Sequence, residues 1–115
     1  MKINLEIAKI CNQVNRNYCI NEKLEAPPKW DDLPENIQES IVAGVAEVIS
    51  DPKVTPTQIH QIWCDYKEKE GWKYALNKDL ELKTHPNLVP FKDLPDIEKR
   101  KDVLFIRTVR REMKK

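Results

Sequence analysis

The sequence predicts a mainly α-helical protein, a compact single domain of about four helices with a long structured loop between the third and the fourth. Apolar residues recur at spacings of three and four over most of the chain, as they do on one face of a helix. Prolines and acidic residues stand where helices begin. A chain of 115 residues can bury one hydrophobic core but not two. We therefore expect one domain over residues 1–115, with its core over about 7–109 and a basic end at 110–115.

The first two helices are predicted from their apolar stripes. Apolar residues follow a helical period from about Lys2 to Tyr18, and the prolines at 27–28 then favour an extended connection. The second helix is expected to begin at residues 30–34, with Pro34 in its first turn, and to run to about Ser50, with Gly44 inside its stripe. A glycine costs a helix roughly 1 kcal/mol relative to alanine. We therefore expect another helix to approach closely at Gly44.

The third helix has the clearest start signal. Residues 55–58, Thr-Pro-Thr-Gln, match a capping box with proline at the first helical position. Its last turn, Lys67 to Glu70, is expected to be solvated, and Gly71 suits the left-handed position that ends a helix.

The fourth helix is expected from about Asp93 to Met113. The second and fourth helices are entered through the same pattern (aromatic, any residue, Asp, Leu, Pro, acid) at residues 30–35 and 91–96. We expect the aromatic residue and the leucine to fasten the first turn of each helix to the core.

The segment from Trp72 to Phe91 has no helical period and contains Pro86 and Pro90. It alternates only locally, which leaves room for a short β-hairpin. Structured loops longer than about 12–15 residues are unusual in small domains and are often functional. This loop is too apolar for a disordered linker, so we expect it to pack against the helices.

Charge and cysteine content limit the kinds of partner and cellular location that we expect for this chain. Residues 1–98 hold 12 Lys and Arg against 17 Asp and Glu, whereas residues 99–115 hold 8 against 2. A basic stretch this short complements a helix C-terminus and makes nucleic acid an unlikely partner. No apolar run is long enough to span a membrane, and no signal peptide is apparent. With three cysteines, an odd number, we expect reduced thiols and a cytoplasmic protein.

Enzyme signatures are absent. With two glycines the chain has no phosphate-cradling loop, and no nucleophile motif is present. His60 and Cys64 form one loose pair on a helix face, whereas structural metal sites show two close pairs. We therefore expect no catalytic activity, no cofactor and no metal site.

One motif extends across the third helix and the loop that follows it. It reads His60-x2-Trp63-x3-Lys67-x3-Gly71-Trp72-x-Tyr74, then Asp79, Lys83 and His85-Pro86-x-Leu88-x-Pro90-Phe91-x2-Leu94. This motif resembles that of the RyR domain family, which is named for its repeats in ryanodine receptor channels and also occurs as small stand-alone bacterial and phage proteins. The resemblance extends from about Ile7 to Val109, with Ala75 where the family usually has glycine.

The resemblance implies a compact helical fold with a structured loop and a non-enzymatic role in binding. A small-molecule pocket for a planar, charged, nucleotide-like ligand is one hypothesis; the other is protein interaction or homo-oligomerisation through the same surface. Aromatic rings with charged neighbours suit the first, because rings stack on planar or cationic groups and Lys or His can hold an anion. The same aromatics could instead only fasten the loop to the helices. The candidate ligand-binding residues are His60, Trp63, Trp72, Tyr74, Asp79, Lys83 and His85.

Overall fold

Four α-helices and two very short strands make up the fold, which a computed structural model describes for residues 2–115. The mainly helical single domain predicted from the sequence is confirmed, and α1 extends three residues beyond its predicted end. No helix in this part of the chain is long and apolar enough to cross a membrane. In chain order the elements are α1 (Lys2–Asn21), α2 (Glu35–Ser50), α3 (Pro56–Lys69), β1 (Lys73–Tyr74), β2 (Thr84–His85) and α4 (Asp96–Met113).

The core lies where the four helices meet. Helix α4 packs against each of the other three helices, and α2 packs against both α1 and α3. Tyr18 ties the first helix to the start of the last, because its hydroxyl donates to the carbonyl oxygen of Ile97 at 2.7 Å. The buried apolar residues of the main cluster are Ile7, Ala8, Cys11, Val45, Val48, Val54, Ile59, Ile106 and Val109.

At Gly44, helix α4 approaches α2 closely, as the position of this glycine predicts. It is buried on α2, and a β-carbon added to it would lie 3.0 Å from Cζ of Phe105 on α4. The missing side chain therefore lets the phenyl ring rest on the backbone of α2.

The repeated pattern before α2 and α4 folds in the same way twice. Each copy forms a 3-10 turn, at Trp30–Asp32 and at Phe91–Asp93, followed by an extended leucine and the proline that precedes the helix. Leu33 and Leu94 are both buried, and each donates its N–H to the aromatic residue's carbonyl oxygen at 3.1 Å. The local pattern thus places a buried leucine before each of the two helices in the same way.

The capping box of α3 forms as predicted. The Thr55 hydroxyl accepts from the N–H of Gln58, and the Gln58 side chain accepts from the N–H of Thr55.

Replacing Thr55 with alanine should lower the free energy of unfolding by about 1 kcal/mol, because the N–H of Gln58 at the helix start loses its partner, the Thr55 hydroxyl. Urea denaturation measures this change. Thr57→Ala on the same turn is the matched control, and an equal loss there would contradict the capping explanation.

The loop between α3 and α4 differs from the expected hairpin. Strands β1 and β2 pair in parallel, with Lys73 opposite Thr84 and Tyr74 opposite His85. The chain bends at 76–77 and turns again at 80–83, where Asp79 forms an antiparallel bridge with Thr84. Two successive reversals bring the second strand back in the direction of the first, whereas a hairpin reverses the chain once.

Candidate functional site

An aromatic cluster joins α3 to the loop. Trp63 on α3 packs edge-on against His85 of the loop, with ring centroids 5.0 Å apart, and Trp72 lies 6.3 Å from the same imidazole. On the other side, Trp63 stacks on His60 at 5.6 Å. Phe91 reaches the His60 ring at 6.2 Å. We use the name aromatic cluster for His60, Trp63, Trp72, His85 and Phe91.

Lys67 completes this cluster, although its sequence position suggested a solvated turn. Its ammonium nitrogen lies 4.2 Å from the ring centroid of Trp72 and 5.8 Å from that of Trp63. Burial lowers the pKa of Lys67, and the charge of Lys78 lowers it further. The signal for this contact was the spacing of Lys67, four residues after Trp63, which places both on one face of α3.

His85 is held as a neutral imidazole. The N–H of Asn87 donates to its Nδ1 at 3.0 Å, so Nδ1 carries no proton and Nε2 is left as the donor. Burial lowers the pKa of His85 to about 4, with further lowering by the positive charges of Lys78 and Lys67. The imidazole therefore lies in a positive electrostatic field.

His60 fixes the end of the loop to α3. Its ring is buried, and Nε2 lies 2.8 Å from the carbonyl oxygen of Val89. A carbonyl oxygen only accepts hydrogen bonds, so Nε2 carries the proton and donates it to Val89. The other ring nitrogen, Nδ1, is 3.9 Å from Oδ2 of Asp102 on α4. His60 thus connects α3, the loop and α4 from inside the domain.

Cys64 lies beside this histidine but is not activated by it. Its sulfur is 3.3 Å from Nε2 of His60, the nitrogen that already donates to Val89. Burial raises the pKa of the Cys64 thiol to about 11, and nearby carboxylates act in the same direction. Within residues 2–115, no three His, Cys, Asp or Glu side chains are grouped so that they could hold a metal ion.

Three of the seven candidate residues lie outside the cluster. The Asp79 carboxylate accepts from the N–H groups of Glu81 and Leu82 and closes the turn at 80–83. Lys83 adopts a left-handed backbone with φ of 55°, and its ammonium donates to the carbonyl oxygen of Glu70 at the end of α3. Tyr74 is 53% exposed. The structure therefore brings together His60, Trp63, Trp72 and His85, and it uses the charges of Asp79 and Lys83 to shape the loop.

Four packed helices, with a structured and aromatic-rich loop between the third and the fourth, define this chain as a mainly α domain. The model of the RyR domain family matches residues 33–114. The chain therefore belongs to the RyR domain family. The match takes in the aromatic cluster and α2 to α4; α1, over which part of the resemblance was expected, lies before the matched residues.

Proposed function

We propose that this RyR domain is a non-enzymatic binding module whose aromatic cluster recognises a small, planar, negatively charged ligand of the nucleotide type. The observation that carries the proposal is the placement of the Lys67 ammonium over the face of Trp72, beside Trp63 and His85. An aromatic face can stack on a planar group, and an ammonium next to that face can hold an anion. All four side chains are half-buried, which leaves part of the cluster accessible.

The electrostatics of the cluster favour an anion over a cation. Lys67, Lys78 and Lys101 all lower the pKa of His85, and among the charges that act on it only Glu98 opposes them. Glu98 is itself paired with Lys101 at 2.9 Å. A cationic ligand would meet this positive field. An anion would instead gain Lys67 as a partner and the Nε2–H of His85 as a donor.

The arrangement around Cys64 supports a non-enzymatic role. A cysteine nucleophile needs a base that can take its proton, and the nearest ring nitrogen here already donates to Val89. The raised pKa of Cys64 keeps the thiol protonated near neutral pH.

The test is thermal denaturation with nucleoside monophosphates, the matching nucleosides and inorganic phosphate. A ligand at about 100 times its Kd adds about 2.7 kcal/mol to the free energy of unfolding. In a domain of this size, that raises Tm by roughly 10 °C. We expect nucleotides to raise Tm more than either the nucleoside or phosphate, because only they offer both a plane and a charge.

Two variants make this test specific. Lys67→Gln should lose most of the nucleotide shift, whereas Lys69→Gln, which changes an exposed lysine at the end of the same helix, should retain it. No shift with any member of the panel, or an equal shift in both variants, would contradict the proposal.

A second candidate function, protein interaction, is favoured by the loop turn. Leu76, Leu80 and Leu82 are between 69% and 81% exposed, although the backbone that carries them is hydrogen-bonded. Clustered exposed leucines are typical of surfaces that bind another protein. This candidate uses a part of the loop outside the aromatic cluster.

A further inference from the structure

The exposed leucines of the loop are held outward by its fold. Main-chain hydrogen bonds of 3.0 Å join Asp79 and Thr84 in both directions, and Asp79 also closes the turn that carries Leu80 and Leu82. Leu76 and Leu82 line one shallow depression. We use the name leucine patch for Tyr74, Leu76, Leu80 and Leu82, which are 53%, 81%, 73% and 69% exposed.

Lysines flank the leucine patch. Lys73 and Lys78 are exposed on the same loop, one before and one after Leu76. Lys78 has an acidic neighbour, Glu25, but the two charges are 4.0 Å apart and both side chains are exposed. An ion pair of this kind contributes little to stability, so Lys78 can turn to another carboxylate. Glu81 is exposed between Leu80 and Leu82, so the two exposed lysines leave the patch with a positive balance of one charge.

A groove lined by other residues has the opposite character. Small and apolar side chains of α2 line it together with residues of α1 and α3, and its volume is about 460 Å³. Glu35 and Glu39, both exposed, are the charged residues of the lining. The small side chains of Ala43 and Ala46 let a partner approach the helix closely. The remaining lining residues are Leu5, Trp30, Gln38, Val42 and Tyr66.

The two surfaces complement each other. One presents leucines with lysines beside them, and the other is an apolar groove with carboxylates in its lining. They share no residue, so one molecule can use both surfaces at once. We propose that the leucine patch of one molecule docks in this acidic groove of a second copy of the same chain.

The proposed contact is head-to-tail. Because patch and groove are different surfaces, a pair of molecules still has one free patch and one free groove. Further copies can therefore add, and the product is a closed ring or an open filament instead of a symmetric dimer. The inference stands on residues outside the aromatic cluster and does not depend on the proposed ligand.

The test uses two variants, each blocked on one surface. Leu80→Asp together with Leu82→Asp places negative charge on the patch, where it would meet Glu35 and Glu39. Ala46→Arg places a large side chain in the groove. Light scattering after size exclusion gives the mass of each species, and circular dichroism shows that each variant is folded. Ile20→Asp, which changes an exposed isoleucine of α1 outside both surfaces, is the matched control.

We expect the wild type and Ile20→Asp to grow beyond a dimer as concentration rises. Each blocked variant alone should remain at the monomer mass of 13.6 kDa. An equimolar mixture of the two blocked variants should form a dimer and nothing larger, because only one patch and one groove remain able to pair.

Other results overturn the proposal. A wild type that stays monomeric up to its solubility limit would exclude a second copy as the occupant; added anionic vesicles or a captured protein would then identify a different one. A folded Ala46→Arg variant that assembles like the wild type would show that the groove is not the docking site. Both blocked variants keep Trp63, Trp72 and Lys67, so failure here leaves the nucleotide test unaffected.

Discussion

Replacing Gly44 with leucine should lower the free energy of unfolding by about 2–3 kcal/mol, even though leucine is a far better helix former. A β-carbon at this position would already lie 3.0 Å and 3.2 Å from two carbons of the Phe105 ring. The rest of the leucine side chain has no space between α2 and α4, so the helices must separate or Phe105 must leave its position. Overpacking of a close-packed core costs more than the roughly 1 kcal/mol gained by removing a helical glycine.

Two further variants separate packing from helix propensity. Gly44→Ala should change stability little, because its methyl group needs Phe105 to move by only a few tenths of an ångström while the helix gains about 1 kcal/mol. Gly44→Leu combined with Phe105→Ala should cost less than the sum of the two single changes, since the smaller residue makes room for leucine. Urea denaturation of these variants, of Phe105→Ala alone and of the wild type measures these values. A double variant that is no better than the sum of the single changes would rule out a direct clash.

Replacing Asp102 with asparagine should stabilise the protein strongly at pH 8 and hardly at all at pH 4. Burial raises the pKa of Asp102 from 3.8 to about 7, with Glu98 adding to the effect and Lys101 opposing it. The unfolded chain ionises this carboxyl near its ordinary value, while the folded protein keeps it protonated until near pH 7. Stability from Asp102 is therefore fully present below pH 3.8 and is lost as the pH rises to about 7. At about 1.4 kcal/mol per pKa unit, the loss is roughly 4 kcal/mol at most.

The pKa shift of His85 changes the free energy of unfolding with pH in the opposite direction. Its pKa falls from 6.5 to about 4 in the folded protein, so its contribution is present above pH 6.5 and is lost as the pH falls to about 4. The ring is half-buried, and after allowance for solvent screening we expect about 2 kcal/mol. In the wild type the His85 contribution offsets only about half of the loss through Asp102, so stability should fall as the pH rises over this range. In Asp102→Asn, the stability should instead rise with pH.

Urea denaturation of both proteins from pH 4 to pH 8 measures the difference. The quantity to follow is the free energy of unfolding of the variant minus that of the wild type, because groups common to both proteins cancel. It should grow with pH toward neutrality and then level off. A difference that is independent of pH would mean that Asp102 has an ordinary pKa in the folded protein. His85→Asn, whose amide can still accept from the N–H of Asn87, should show the opposite trend.

The parts of the fold that depend on residues close together in the sequence were predictable from it. The capping box at Thr55 and the repeated pattern before α2 and α4 are local signals, and both form as predicted. Gly44 could be assigned to a helix crossing because a helical glycine has a cost that packing must offset. Which residue meets it, Phe105 on α4, depends on how the helices cross and could not be predicted from spacing.

The candidate site was predictable only in its aromatic members. Trp63, Trp72 and His85 meet because α3 ends at Gly71 and the loop folds back along the helix. Charged residues are harder to assign, since a side chain such as that of Lys83 can serve a backbone carbonyl as well as a ligand. Lys67 was not predicted as a site residue, because its sequence position suggested a side chain in solvent. Its sequence neighbours, Glu68 to Glu70, are exposed, while its long stem carries the ammonium back over the tryptophans.

The pairing of α1 with α4 has a consequence for synthesis of the protein on the ribosome. Ile7, Ala8 and Cys11 of the first helix lie in one buried cluster with Ile106 and Val109 of the last, and Tyr18 reaches a carbonyl 79 positions later in the chain. During translation, helix α2 is available to α1 early, but the part of the core that α4 supplies is missing until the last helix has left the exit tunnel. The core is therefore completed late, and the nascent chain depends until then on its charged residues, or on a chaperone, to avoid aggregation.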